Sequence, residues 1–131
     1  MFSCPIQIRM SDLDPFNHVN NGAQCHLFDY GRTQYFETVF GTQIDWLTFE
    51  YVLVHLEFDF RKQVRIHDQV VCETEIEGFG HRSLKMYQHL RSTVTNEILT
   101  TCRCVIVYID RATNQSKEIP EEHRNMLIQI Q

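Results

Sequence analysis

The chain has 131 residues, of which 43% are hydrophobic and 22% charged, a composition typical of one globular domain. Its formal net charge of −5 argues against general nucleic-acid binding, which needs a basic surface. No apolar stretch approaches the roughly 20 residues that span a bilayer, and the first residues lack the pattern of a signal peptide. We therefore expect a single domain over residues 1–131 of a cytoplasmic protein, without membrane or nucleic-acid partners.

The first predicted element is a short strand that ends near residue 11. Ile6, Ile8 and Met10 alternate with polar residues, as in a strand with one buried face. If this strand continues, Asp12 and Asp14 fall on its apolar side. A buried carboxylate is costly without a partner, so these two residues need a structural or chemical explanation.

A long helix is predicted over residues 21–40, with Gly41 at its end. Asn20 or Asn21 can cap its first N–H groups, which have no acceptor inside the helix. Those N–H groups form a site for negative or developing negative charge. A broad apolar arc around the helix indicates that protein wraps most of it.

Four long strands follow, beginning near Tyr51, Val70, Leu84 and Ile98. A short terminal helix begins at Pro120. The order predicts an α+β domain in which an antiparallel sheet of about five strands curls around the long helix.

Apolar residues on both faces of the sheet predict a partner subunit. Strict alternation over residues 51–60 gives one face to the residues Val52, Val54, Leu56, Phe58 and Phe60. The faces opposite the helix then carry Tyr51, Leu53, Val71 and Leu99. Because one subunit of this size would expose too much apolar surface, we expect a homo-oligomer.

The run DLDPFNHVNN at residues 12–21 has the highest density of chemical groups in the chain. Taken residue by residue, it is either a turn followed by a helix cap or a base beside a site for an oxyanion. The five cysteines have no metal-like spacing, and Cys102 and Cys104 are expected to be small core residues on one face of a strand.

This run resembles the signature of the hotdog-fold acyl-CoA thioesterases of the 4-hydroxybenzoyl-CoA thioesterase type, and more weakly that of plant acyl-carrier-protein thioesterases. The resemblance spans nearly the whole chain. Asp29 and Arg32 stand where the family tends to have Glu and Arg, Asp68 follows the second strand, and Ser83 opens the fourth.

Two residues depart from the family pattern. Asn17 stands where glycine is usual, and Gln24 where the helix usually carries an aromatic residue. The resemblance implies a hotdog fold and a homodimer or homotetramer with active sites at the subunit interface.

The resemblance also implies the catalytic residues. Asp14 matches the catalytic carboxylate, which would attack the thioester as a nucleophile or activate water as a general base. The backbone N–H groups near Asn21 and Gly22 would polarise the carbonyl. His18 is the competing general base, and Asp12 matches a less decisive residue that we assign to substrate binding.

The remaining candidates would bind the substrate. Arg61, Lys62 and Arg82 lie near predicted strand ends, where they could hold the phosphates of coenzyme A. Asn20 and Phe16 are further candidates. An acyl pocket could also use residues that serve equally well as core, namely Phe16, Gln24, Phe28, Phe58 and Phe60. We expect no metal and no cofactor, since coenzyme A is part of the substrate.

Two other functions remain open. One is a non-catalytic module that binds or senses acyl-CoA, because hotdog domains also serve in that way. The other is a hydratase or dehydratase, but these enzymes resemble a signature with Asp and His around an Asn-Pro pair or a His-Phe-Pro run, absent here. The sequence does not fix the acyl group, its carrier (coenzyme A or acyl-carrier protein), or the choice between dimer and tetramer.

Overall fold

The computed structural model describes residues 1–129. The helices are α1 (Asn21–Phe40) and α2 (Glu121–Gln129). The strands are β1 (Phe2–Ile6), β2 (Tyr51–Phe60), β3 (Val70–Phe79), β4 (Ser83–Ser92), β5 (Ile98–Asp110) and β6 (Gln115–Ser116). Neither helix of this described range is both long and apolar enough to cross a bilayer.

The strands form one antiparallel sheet in the order β1-β3-β4-β5-β2, and β6 pairs with the end of β5. Five strands therefore make the predicted sheet, and the sixth is a two-residue addition too short to leave a pattern in the sequence. Gly41 ends α1 in the left-handed conformation with φ of 69°, as its position predicts. The sheet is curved and the long helix lies against it.

A close contact between α1 and β3 sets the distance from the helix to the sheet. Gly31 is buried, and a Cβ atom built on it would lie 2.5 Å from the Sγ atom of Cys72. Beside this contact, Arg32 pairs with Asp29, and its Nη1 donates to Oε1 of Gln88 at 2.7 Å. The helix thus approaches the sheet closely while its buried guanidinium keeps polar partners.

Two apolar clusters fill the space between α1 and the sheet. Around the second half of α1 lie Tyr35, Phe36, Val39, Tyr51, Leu84, Met86, Cys104, Ile106, Tyr108, Ile119 and Leu127. Around the first half lie Val19, Leu27, Phe28, Val64, Val70, Cys72, Leu90, Leu99 and Cys102. Cys102 and Cys104 are 1% and 2% exposed, which confirms the prediction that they are core residues.

The first strand is shorter than the alternation predicts. β1 ends at Ile6, and the chain then makes a 3-10 turn over Met10–Asp12. Met10 is 77% exposed, so the extension of the apolar face to this residue was wrong. Asp12 and Asp14 therefore do not continue the apolar face of β1, because a turn separates them from the strand.

The predicted faces of β2 were also wrong. Leu53 pairs with Ile106 and His55 with Val105, so Val54 is an extra residue in a β-bulge. The bulge reverses the alternation and turns Tyr51 into the core, where it is 6% exposed. Leu99 is 5% exposed and likewise belongs to the core rather than to an outer face.

Charged residues join β3 to β4 on the outer face of the sheet. The carboxylate of Glu73 accepts hydrogen bonds from Nε of Arg91 at 2.6 Å and pairs with Nε2 of His89 at 2.8 Å. The bond from Arg91, together with the smaller contribution of His89, lowers the pKa of Glu73 to about 2. Glu73 therefore stays ionised throughout the neutral range.

We expect Gly31→Ala to destabilise the fold by about 1–3 kcal/mol, because the new methyl group overlaps a side chain held in the sheet. Gly78→Ala is the matched control, since a Cβ atom there meets nothing within 4 Å. Urea denaturation of both variants measures the difference. Equal stabilities of the two variants would contradict this account of how α1 contacts the sheet.

Candidate active site

Asp12 and Asp14 have different environments in the loop between β1 and α1. Asp12 is 4% exposed, and its carboxylate accepts the backbone N–H of Arg9 at 2.8 Å and pairs with the Arg9 guanidinium at 3.3 Å. Both carboxylate oxygens of Asp12 are therefore used inside its own turn. The explanation for its burial is structural, and the residue does not line the cleft described below.

Asp14 keeps one carboxylate oxygen free. Its Oδ1 accepts the backbone N–H groups of Phe16 at 2.9 Å and His18 at 3.2 Å. Oδ2 has no hydrogen-bond partner within residues 1–129. The two N–H donors therefore fix the orientation of the carboxylate and leave one oxygen available for chemistry.

Asn17 gives the Asp14 turn its shape. Its φ is 62°, in the left-handed region that asparagine adopts more easily than most residues. The backbone of Asn17 also donates to the carbonyl of Asp14 at 3.1 Å. Asparagine can therefore replace the usual glycine at this position, and the turn keeps its shape.

The first two N–H groups of α1 differ, because one is capped and the other is open. Asn20 is the N-cap, and its Oδ1 accepts the N–H of Gly22 at 2.7 Å. Asn21 is the first helical residue, so its N–H has no acceptor inside the helix. Of the two predicted N–H groups, the one on Asn21 is therefore better suited to bind a carbonyl oxygen.

A cleft of about 420 Å³ joins these groups. Its lining residues are Asp14, His18, Val19, Asn21, Gln24, Phe60, Arg61, Lys62 and Gln63. Five of the predicted site residues, from two separate segments of sequence, therefore lie around one space.

Backbone pairing brings these segments together. The N–H of Val19 donates to the carbonyl of Val64 at 2.7 Å, and His18 forms a β-bridge with Arg65. The loop that carries Asp14 is thus attached to the segment that follows β2, and that segment carries Arg61.

The two basic residues of the cleft differ in their partners. Nζ of Lys62 pairs with Oε1 of Glu97 at 2.6 Å. The guanidinium of Arg61 is exposed and has no salt-bridge partner in the described part of the chain. Arg61 is therefore the cation more available to an anionic ligand.

The other predicted substrate-binding residues do not line this cleft. Phe16 is 77% exposed at the tip of its turn, and Asn20 is the helix cap. Arg82 lies in the turn just before β4, with Nη1 3.5 Å from Oγ of Ser116. Among the residues offered for an acyl pocket, Gln24 and Phe60 line the cleft, whereas Phe28 is wholly buried in the core.

Sequence reasoning missed Gln63, and it offered Gln24 as an acyl-pocket residue without assigning a role to its amide. Gln24 is 2% exposed and lies on the apolar arc of α1 beside Ala23 and Leu27. A polar residue inside such an arc was the available signal, because a buried amide requires hydrogen-bond partners.

None of the five cysteines lines this cleft. Burial raises the pKa of Cys72 and that of Cys102 to about 12, so both thiols stay protonated at neutral pH. Within residues 1–129 no three His, Cys, Asp or Glu side chains are grouped so as to hold a metal ion.

A family model described as the thioesterase-like superfamily matches residues 8–127. The chain belongs to the thioesterase-like superfamily. No curated protein matches the chain significantly. The superfamily assignment is broader than the 4-hydroxybenzoyl-CoA thioesterase type, which stays a prediction.

Solved structures of thioesterases share this superfamily fold. A protein from Bacillus stearothermophilus described as a predicted thioesterase is 26% identical, with a TM-score of 0.87 over 96% of this chain and 92% of that one. A thioesterase from Thermus thermophilus, solved with coenzyme A and Zn, is 25% identical, with a TM-score of 0.82 over 95% and 90%. The expected hotdog fold is thereby confirmed.

We expect Asn20→Ala to lower the free energy of unfolding by about 1 kcal/mol, because it removes the cap from the Gly22 N–H. Asn21→Ala is the control, since the Asn21 side chain donates or accepts no hydrogen bond in the described residues. Urea denaturation compares the two variants. An equal loss in both would show that the cap does not hold the start of α1.

Proposed function

We propose that this protein hydrolyses acyl-CoA thioesters to the free acid and coenzyme A, with Asp14 as the catalytic carboxylate. The observation that carries this proposal is the free Oδ2 of Asp14 in a cleft that also contains the first residue of α1. Membership of the thioesterase-like superfamily supports a thioester substrate. The coenzyme A in the Thermus thermophilus structure supports this carrier. From the motif at residues 12–21, we assign the protein to the 4-hydroxybenzoyl-CoA thioesterase type.

In this proposal the substrate carbonyl oxygen accepts the N–H of Asn21. The N-terminal end of α1 favours the negative charge that develops on this oxygen in the transition state. Because the donor belongs to a helix whose next N–H is capped, its position is fixed before the substrate arrives. His18 lines the same cleft and can orient water or the leaving group.

Asp14 can act in two ways that end in the same products. As a nucleophile, its free oxygen attacks the carbonyl carbon, the C–S bond breaks, coenzyme A leaves as a thiolate, and water hydrolyses the resulting anhydride. As a general base, Asp14 takes a proton from a water molecule that attacks the carbonyl directly. In both routes the thiolate gains a proton, and no further cofactor is required.

Arg61 is the best candidate to bind a phosphate of coenzyme A. Its guanidinium is exposed at the cleft and matches the geometry of a phosphate, which it can bind with two hydrogen bonds. Lys62 already pairs with Glu97, so its charge is less available to a phosphate. Arg82, on the β3–β4 hairpin, remains a predicted phosphate ligand without support from the cleft.

We also propose that two copies of the chain pair through β2. This strand lies at one edge of the sheet and pairs only with β5 among the described strands. It is ten residues long, contains no proline and exposes Leu53, Val54, Leu56 and Phe60 at 36–58%. The opposite edge, β1, is five residues long and contains Pro5, which blunts it.

Antiparallel pairing of two β2 strands would complete the proposed site. Phe60, at one end of β2, lines the Asp14 cleft, whereas Tyr51 and Leu53, at the other end, line a groove of about 300 Å³ against α1. Antiparallel pairing places the Phe60 end of β2 in one copy beside the Tyr51 end of β2 in the other. The groove, which also includes Trp46 and Phe49, would then receive the acyl group.

We expect the wild-type protein to sediment as a dimer or tetramer at micromolar concentration. Val54→Lys should raise the dissociation constant at least tenfold, because it puts a charge on the exposed bulge of β2. Val94→Lys is the matched control, since Val94 is 72% exposed on the turn between β4 and β5. A monomeric wild type, or equal dissociation of both variants, would contradict pairing through β2.

We expect Asp14→Asn to lower kcat on the order of 10²-fold or more, because it nearly preserves shape while removing the nucleophile or base. His18→Ala should have an intermediate effect. Asp12→Asn is the matched control and should lower kcat less, because the Asp12 carboxylate forms its hydrogen bonds within its own turn. Steady-state kinetics of thiol release from a panel of acyl-CoAs measures all three variants.

Two results would contradict this assignment. If Asp14→Asn retains wild-type kcat while His18→Ala is inactive, His18 is the base. If the wild type binds acyl-CoA tightly and releases no thiol, the protein is a binding or sensing module rather than an enzyme.

A further inference from the structure

Gln24 forms part of the cleft wall one helical turn beyond Asn21. Its side chain is 2% exposed, and its Oε1 accepts the hydroxyl of Thr100 at 2.6 Å. Thr100 lies on β5 and is wholly buried. The strand therefore holds the carbonyl end of the carboxamide and directs its NH2 group elsewhere.

The NH2 group of Gln24 reaches the open space of the cleft. No hydrogen-bond acceptor for it is present within residues 1–129. In that range no fully buried side-chain nitrogen or oxygen lacks a partner. The NH2 group must therefore touch open space, and the space that Gln24 lines is the Asp14 cleft.

A ligand that enters this cleft must replace the water available to that donor. A plain methylene chain offers no acceptor and leaves the NH2 group unpaired, whereas an oxygen substituent accepts its hydrogen bond. A site with a fixed polar group discriminates strongly against ligands that lack the matching polar atom. An apolar pocket discriminates only weakly against a ligand that carries an additional hydroxyl group.

The position of Gln24 on α1 limits where the oxygen can be. Residues 21 and 24 are about 4.5 Å apart along the helix axis, and side chains tilt toward the helix start. The amide of Gln24 thus lies near the proposed position of the thioester carbonyl at Asn21. The first carbons of the acyl chain are the ones within its reach.

We propose that Gln24 determines specificity by binding an oxygen substituent on C2 or C3 of the acyl group. This inference rests on the proposed function, because it places the acyl group beside Asn21 and Asp14. The preferred substrates are then 2-hydroxyacyl, 3-hydroxyacyl or 3-oxoacyl thioesters rather than unsubstituted ones.

The test compares acyl-CoAs that differ by one oxygen. Hexanoyl-CoA, 2-hydroxyhexanoyl-CoA and 3-hydroxyhexanoyl-CoA are assayed with the wild type, with Gln24→Met and with Gln63→Met. We expect wild-type kcat/KM to be at least tenfold higher for one hydroxylated substrate. Gln24→Met should abolish this preference, and Gln63→Met, which changes an exposed glutamine of the same cleft, should retain it.

Two outcomes would overturn the inference. One is a wild type with equal kcat/KM for all three substrates. The other is a Gln24→Met variant that loses kcat equally on all of them, because the donor would then serve the carbonyl itself. If Gln24→Met does not fold, the wild-type comparison decides, together with Thr100→Val, which should weaken the preference by releasing the carboxamide.

Failure of the proposed function gives a different result. If the wild type hydrolyses none of the three thioesters, calorimetric titration with the same compounds measures their affinities. Tighter binding of a hydroxylated compound supports the role of Gln24 in a binding module, and equal affinities overturn it.

Discussion

The contact between Gly31 and Cys72 determines where the long helix can lie. Any larger side chain at position 31 would push α1 away from β3, and the buried pair of Arg32 and Gln88 would separate. Since α1 carries the capped helix start at one end, its distance from the sheet also sets the position of the Asn21 N–H. Packing in the middle of the helix thus fixes the geometry of the cleft at its end.

The cleft itself combines a fixed charge with a fixed dipole. Two backbone N–H groups hold one oxygen of Asp14, and the other oxygen remains free. The Asn20 cap occupies the second N–H of α1 and leaves the first one open. A carboxylate and a helix start that are both held before ligand arrives need little reorganisation during a reaction, which is the main source of electrostatic catalysis.

Much of the fold could be predicted from the sequence because its signals are local. The helix bounds 21–40 follow from a cap, an apolar arc and Gly41, and the structure confirms these bounds. The faces of β2 could not be predicted, since a single bulge at Val54 reverses the alternation and depends on pairing with β5. The end of β1 was missed for a similar reason, because Ile8 and Met10 continue the pattern after the strand has stopped.

The candidate site was predicted in part through its motif. The structure brings Asp14, His18 and Asn21 together with Arg61 and Lys62, although the two groups lie far apart in sequence. The motif assigned Asp12 to substrate binding and could not predict its structural role, because that role lies in the hydrogen bonds of Arg9 to Asp12. The free NH2 group of Gln24 could not be predicted either, since it depends on the hydrogen bond from the Thr100 hydroxyl on β5.

In the proposed reaction, the Asp14 cleft binds the thioester with its carbonyl at the start of α1. A crystal structure of the Asp14→Asn variant with an intact acyl-CoA tests it most directly. We expect the carbonyl oxygen within hydrogen-bond distance of the Asn21 N–H, and the residue at position 14 beside the carbonyl carbon. A thioester bound away from Asn21, with the cleft filled only by water, would contradict it.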